Sequence, residues 1–345
     1  MKEKINFIAT TIFILVTITC SGQFSTYKNL VFAGAGIKGI AYAGVLEEFE
    51  KVQLLDNIKK VGGTSAGAII ALTISLGYNA KEIKDIIYNT QLNRFNDGGV
   101  PFFGGLHRLK KYYGWFRGDK FTRWLGGLIS KKTNNSEITF LELHNRGYKD
   151  LYVTVTCLNK QKLIVLSHET YPNMKIKDAV RISSSIPLYF KAVFIDNTGT
   201  IIKKSAHRTD LDIMVDGGII GNYPIDLFDS IVPGSLIKTR KVNAETIGIR
   251  IDSEEQIQYD QISKELTPQK IGNIKDYMQA FYIFVLQNLN RNKLIPEDWQ
   301  RSITISSVHI GSRIKKLSAD QKDSLIISGR KSAIEFLSKT TYKKL

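Results

Sequence analysis

The sequence predicts one α/β domain whose largely parallel sheet is covered by helices. Three observations predict it. Strand and helix patterns alternate between residues 28 and 92, and glycine-rich turns join them. The helix pattern at 65–77 is apolar on every side, as a helix buried within a domain should be. Strand–helix–strand–helix order at such spacing is the signature of parallel strands joined by helical crossovers.

The elements follow in order. "KNLVFAG" (28–34) is a short apolar strand running into glycine, and "IKGIAYAGVLEEFEK" (37–51) has helical spacing with small residues on one side. "IKKVGG" (58–63) is the second strand, "SAGAIIALTISLG" (65–77) the buried helix, and "KEIKDIIYNTQL" (81–92) an amphipathic one. Further strands are expected at "LYVTVTCL" (151–158), "KLIVLSHE" (162–169), "DIMVDGG" (212–218) and "TIGIRI" (246–251). Ser318 and Gln321 form a capping-box pattern ahead of "KDSLIISGRKSAIEFLSK", which marks a last helix. With no repeat and no linker across 28–345, residues 23–345 read as a single domain with a helical C-terminal portion.

Composition narrows the function classes. The 345 residues are 43% apolar and carry a net charge of +16, so the chain is globular and suited to an anionic partner. No helix-turn-helix, zinc-finger or RNA-binding signature is present, which leaves membrane surface ahead of nucleic acid. Two cysteines, Cys20 and Cys157, make no disulfide framework. His107, His144, His168, His207 and His309 are scattered without zinc-site spacing, so no metal is expected. At the N-terminus Lys2 and Lys4 precede an uncharged run from Ile5 to Cys20. That layout reads as a signal peptide over 1–22, and hence export to the cell envelope or beyond. An uncleaved membrane anchor is the alternative, although the run is short for a span of about 20 residues. Acylation at Cys20 fits less well behind Thr19, and a cytosolic protein that merely begins with an apolar helix is the minor alternative.

Gly63-Thr64-Ser65-Ala66-Gly67 fits the G-x-S-x-G nucleophile elbow, in which glycines let strand and helix approach and push the serine Oγ outward. Alone it is weak, since a chain this long shows it by chance about once in ten. Gly34-Ala35-Gly36-Ile37-Lys38-Gly39, between the first strand and helix, adds backbone N–H groups at a positive helix end, where an oxyanion could develop. Its G-x-G-x-x-G spacing also suits a dinucleotide, but the second strand ends in "GGTS" where the ribose-binding acid should stand. No histidine has a motif around it to serve as base for Ser65. Asp216 has one: "VDGGIIGNYP" sets it at a strand end before Gly217 and Gly218, which allow close backbone approach. Burial would raise such a carboxylate toward a useful base, whereas an ordinary turn aspartate would bond its own backbone.

Together these three pieces, in this order and spacing, resemble the patatin-like phospholipases. "AVRISSSIPLYF" (179–190), "FRGDKFTRWL" and "ITFLEL" are similar to other parts of that family, and the resemblance spans roughly 28 to 224. It implies a three-layer α/β/α sandwich and a Ser65–Asp216 dyad that hydrolyses lipid acyl esters, of phospholipase A or lysophospholipase type, without metal or organic cofactor. The oxyanion hole would come from Gly34, Ala35, Gly36 and Gly39, with Lys38, Gly63, Gly67, Gly217 and Gly218 supporting the motifs. Lys38 either steadies the loop, greets an anionic head group or is simply solvated. One departure stands out: the family usually has three consecutive glycines, and Ala35 replaces the middle one. A positive φ there would strain alanine by roughly 1–2 kcal/mol. A non-catalytic lipid-binding relative and a nucleotide-dependent oxidoreductase are the competing classes, and an acyltransferase differs only in its acceptor.

Residues 101–132 combine aromatics with eight Lys/Arg against one Asp. This suits contact with an anionic membrane surface, with Phe102, Phe103, Trp115 and Phe116 as candidate lipid contacts. A core helix pair with a solvated basic face is the structural alternative.

Overall fold

The chain runs through a central eight-stranded sheet flanked by helices, as seen in a computed structural model. It describes residues 26–98, 101–202, 208–233, 239–260, 262–263, 265–274, 276–277, 280–281, 284, 294–311 and 316–342. The expected signal segment 1–22 with Cys20, the side chains of Phe102 and Phe103, and His207 lie outside them.

The sheet strands are β1 (Asn29–Phe32), β2 (Lys60–Thr64), β3 (Asp150–Cys157), β4 (Lys162–Leu166), β5 (Val193–Ile195), β6 (Asp212–Asp216), β7 (Thr246–Asp252) and β8 (Ser302–Ser306). Their spatial order is β8-β7-β1-β2-β3-β6-β5, and β4 pairs with β3 off that path. From β8 to β3 every pairing is parallel; β3–β4, β3–β6 and β6–β5 are antiparallel.

One detail of register sets up everything that follows. β3 pairs with β2 over Asp150–Thr154 and with β6 over Val155–Cys157. Val155–Cys157 also pair with β4, so β2 and β6 must share the opposite edge of β3. β2 arrives parallel and ends at Thr64 opposite Thr154; β6 arrives antiparallel and ends at Asp216 opposite Val155. Two strands thus meet end to end, and their next residues share one place above the sheet.

Helices α1 (Tyr42–Lys51), α2 (Ala66–Ser75) and α3 (Ala80–Asn89) follow the first two strands, with a 3-10 turn over Gly36–Ala41 leading into α1. α2 is the expected all-round apolar helix, and nearly all of it is buried. A Cβ at Gly63 would meet Gly67 and Ala68, whereas one at Gly62 would meet Leu227 and Phe228. Successive strand residues face opposite ways, so α2 covers one face of β2 and the 224–229 segment covers the other. The long excursion between β2 and β3 holds α4 (Pro101–Tyr112), α5 (Asp119–Thr133) and α6 (Phe140–Asn145); α7 (Ile176–Ser183) follows β4. The C-terminal α8 (Ala319–Tyr342) lies against α1, close enough that Gly44 and Gly329 face backbone of the other helix. Ser318 and Gln321 exchange the two bonds of the capping box just ahead of it.

Candidate active site

Ser65 follows the last residue of β2 and stands at the N-cap of α2 with φ 53° and ψ −118°. Serine adopts that positive φ only when its surroundings hold it there. Here they do. A Cβ on Gly67 would lie 2.3 Å from Phe32 O and 2.7 Å from Ala33 O, so only glycine lets α2 descend onto β1. The Ser65 N–H donates to Ser183 Oγ at 2.8 Å, and Ser183 Oγ donates to Thr154 O at 2.8 Å. Beneath it, the Thr64 hydroxyl donates to Gly221 O at 2.9 Å and bonds the Thr154 hydroxyl.

Asp216 ends β6 across this meeting point and is buried, 6% exposed. Its backbone N–H donates to Ser185 O at 3.0 Å, and its Oδ1 accepts from Gly218 N–H at 2.8 Å. Burial pushes the carboxyl up to about 6, partly opposed by the Gly218 bond and by a hydrogen bond with the Ser65 side chain. Desolvation wins because the ionised form has few compensating donors. The arrangement is a carboxyl half-ionised near pH 6 and mostly ionised at neutral pH, beside a partly exposed serine hydroxyl. Gly217 packs tightly too, its Cβ position lying 2.3 Å from Thr154 O.

The glycine-rich loop after β1 completes the site. Ala35 has φ −137°, a region open to any residue, so replacing the family's glycine introduces no strain. The position that needs glycine is Gly36, at φ +54°. Gly34 N–H is committed to Asn222 O at 2.9 Å, and Asn222 Nδ2 donates back to Gly34 O at 3.0 Å. Gly34 therefore anchors the loop and offers no donor. Gly39 has a packing place as well, its Cβ position 3.2 Å from Ala66 Cβ. The N–H groups of Ala35, Gly36 and Ile37 donate to no acceptor among the described residues, and neither does that of Ala66 at the first turn of α2. Gly36, Ile37 and Ala66 line one cleft, whose walls continue as Ile40, Ile69, Ile70, Leu92 and Trp124. Such a cleft can take an apolar chain beside a group of free donors.

Lys38 is buried, not solvated or facing a head group. Burial lowers its pKa, and the charge of Asp252 works against that. Trp115 and Phe116 are half-buried rather than displayed: Trp115 closes over Gly105, and Phe116 packs on Tyr189 and Phe190. The basic Lys110, Arg117, Lys120 and Arg123 of that region are exposed, and so are Leu106 and Tyr113.

The supporting role of α7 shows in the sequence only through the family-like segment 179–190. α7 supplies Ser183 and Arg181, with Ser185 just beyond its end, and the Arg181 guanidinium is buried and drawn down to about 10 by that burial. Arg181 donates to Arg117 O at 2.9 Å, to Gly118 O at 3.3 Å and to Ser185 Oγ, and stacks 4.8 Å from the Phe190 ring centre. It ties α5's leading turn to the segment that carries the backbones of both Ser65 and Asp216. The run of three serines in "AVRISSSIPLYF" is the visible trace of this support.

Comparison with known proteins places the chain among relatives. The chain is 27% identical over 310 residues to an uncharacterized protein of Acanthamoeba polyphaga mimivirus, covering 89% of this chain and 93% of that one. It is 27% identical over 207 residues to a protein of Invertebrate iridescent virus 6 named "Probable lipid hydrolase", covering 58% and 63%. VipD from Legionella pneumophila has the same fold, with a TM-score of 0.55 at 15% identity over 91% of this chain and 67% of that one. Residues 30–229, well over half of the chain, match the sequence pattern of the family described as "Patatin-like phospholipase". The chain belongs to the patatin-like phospholipase family.

Proposed function

We propose that this protein is a lipid acyl hydrolase of phospholipase A or lysophospholipase type, with Ser65 as nucleophile and Asp216 as its base. The observation that carries the reading is the buried Asp216 carboxyl, raised to about 6 and hydrogen-bonded to a serine in a positive-φ elbow. A base works best when its pKa lies near the operating pH. Ionised Asp216 takes the Ser65 proton as Oγ attacks the ester carbonyl. The free N–H groups of Ala35, Gly36 and Ala66 stabilise the tetrahedral oxyanion, the contribution usually worth most in acyl transfer. Collapse expels the alcohol, which leaves with the proton from Asp216, and the acyl group stays on Ser65. Asp216 then deprotonates water, the acyl-enzyme hydrolyses, and the proton returns to Ser65.

The acyl chain would lie in the cleft bounded by Ile37, Ile69 and Trp124. Contact with an anionic membrane through the basic groups of 101–132, and export through 1–22, belong to the same reading and rest on the sequence. A non-catalytic relative loses its main support, because Ala35 sits at a negative φ. Fatty-acid release from phospholipid vesicles tests the proposal. Wild type should turn over, and Ser65→Ala and Asp216→Asn should each lose roughly 10⁴-fold or more of kcat. A folded wild type that binds vesicles without releasing fatty acid would make lipid binding the function.

A further inference from the structure

Histidine spacing along the chain hints at no metal, yet the fold gathers three ligand types at the end of the sheet opposite to Ser65. We propose that His144, Asp150 and His168 form a binding site for a divalent transition metal of the zinc type. They come from three segments: the C-terminal turn of α6, the first residue of β3, and the turn after β4. His144 Nδ1 lies 2.7 Å and His168 Nδ1 3.6 Å from the same atom, Asp150 Oδ1. Their ligand atoms all fall within 4.8 Å of one another.

The distances suit the ion. Bonds of about 2.0–2.1 Å in a tetrahedral site put neighbouring ligand atoms about 3.3 Å apart, and the two separations bracket that value. The imidazole planes lie 7° apart with centroids 4.1 Å apart, so both rings turn the same edge to the carboxylate. Binding requires a rotation of one ring, and the His144 side chain, 45% exposed, is free to make it. His168 is more fixed, at 16% exposure, with Glu169 Oε1 4.0 Å from its Nε2. Glu169 in turn accepts from Tyr152 OH at 2.7 Å, which holds that carboxylate near His168 without a hydrogen bond to its ring. Two imidazoles and one carboxylate, with the fourth position open to water, favour zinc-like ions over magnesium or calcium.

The site is remote from the chemistry. Asp150 pairs with Lys60, the first residue of β2, while Ser65 follows the last. At about 3.3 Å per strand residue the two ends stand about 16 Å apart. Metal there would tie α6 and the β3–β4 hairpin together, and its effect should fall on stability.

The test uses tag-free full-length protein, stripped with chelator and dialysed, at neutral pH. Zn²⁺ titration by calorimetry should show one saturable site per chain, and Tm should rise with Zn²⁺ concentration. His168→Ala and Asp150→Asn should lose both effects, His107→Ala should keep both, and Mg²⁺ should produce neither. The metal-free Tm of each variant reports folding, and His144→Gln, at a half-exposed side chain, repeats the test without touching buried structure. No saturable Zn²⁺ site in wild type, or a site whose affinity is unchanged in His168→Ala, Asp150→Asn and His144→Gln, overturns the proposal.

Discussion

Asp216 carries a conflict between stability and reactivity. Its carboxyl moves from an ordinary 3.8 to about 6 on burial. Between about pH 4 and 6 the folded protein holds this proton while the unfolded chain has released it. Stability from this group therefore declines as pH rises through that window, and the full cost, about 3 kcal/mol, applies above it. Asp216→Asn should raise Tm at neutral pH while abolishing turnover, and wild-type kcat/KM should fall as pH drops below about 6. Chemical denaturation and a pH profile check the pair of effects; a destabilised Asn variant would mean that the carboxylate is well solvated. The glycine loop gives a second residue-scale prediction. Gly36→Ala should cost roughly 1–2 kcal/mol because φ is positive there, and should depress activity. Ala35→Gly should not raise activity and should lose about 0.4–1 kcal/mol through the unfolded state. The sequence left the dihedral at Ala35 open because motif spacing carries none; the positive φ falls one residue later, at a glycine.

Among the elements, the elbow depends on the approach of α2 to β1 and β2. Gly67→Ala would drive a Cβ into the backbone carbonyls of Phe32 and Ala33, which cannot rotate away. It should destabilise by about 1–3 kcal/mol or more and lower kcat, measured by denaturation and ester hydrolysis on the folded fraction. Elements with strong periodicity were legible from the residues alone: β1, β2, α2, α3, β3, β4, β6, β7 and α8 fall where apolar pattern and capping place them. β5 and β8 were not. "VFI" is three residues long, and "SITIS" alternates polar and apolar residues behind a charged helix turn, so neither stands out without its sheet partner. The antiparallel edge was equally silent, since strand direction is decided by pairing and not by local pattern. Hence Ser65 and Asp216 were legible as motifs, whereas the reason they meet, two strands ending head to head along β3, was not.

For the whole molecule, the net charge of +16 should act at lipid surfaces. Binding to vesicles rich in anionic lipid should weaken as salt rises, because exposed charges are screened beyond a Debye length of about 10 Å at 0.1 M. Binding to zwitterionic vesicles should respond little, and co-sedimentation across a salt series distinguishes the two; equal salt response on both would remove charge from the account. Composition made this expectation legible; of its four aromatic contacts, Trp115 and Phe116 are half-buried against Gly105, Tyr189 and Phe190, and the side chains of Phe102 and Phe103 lie outside the described residues. The central claim is that one serine, activated by one carboxylate, forms the acyl-enzyme. Reaction with a fluorophosphonate ester, followed by peptide mass spectrometry, tests it most directly. A single adduct on Ser65, formed in wild type and nearly lost in Asp216→Asn, is the predicted result. An unlabelled Ser65 in folded, lipid-competent protein, or labelling that ignores Asp216, would contradict it.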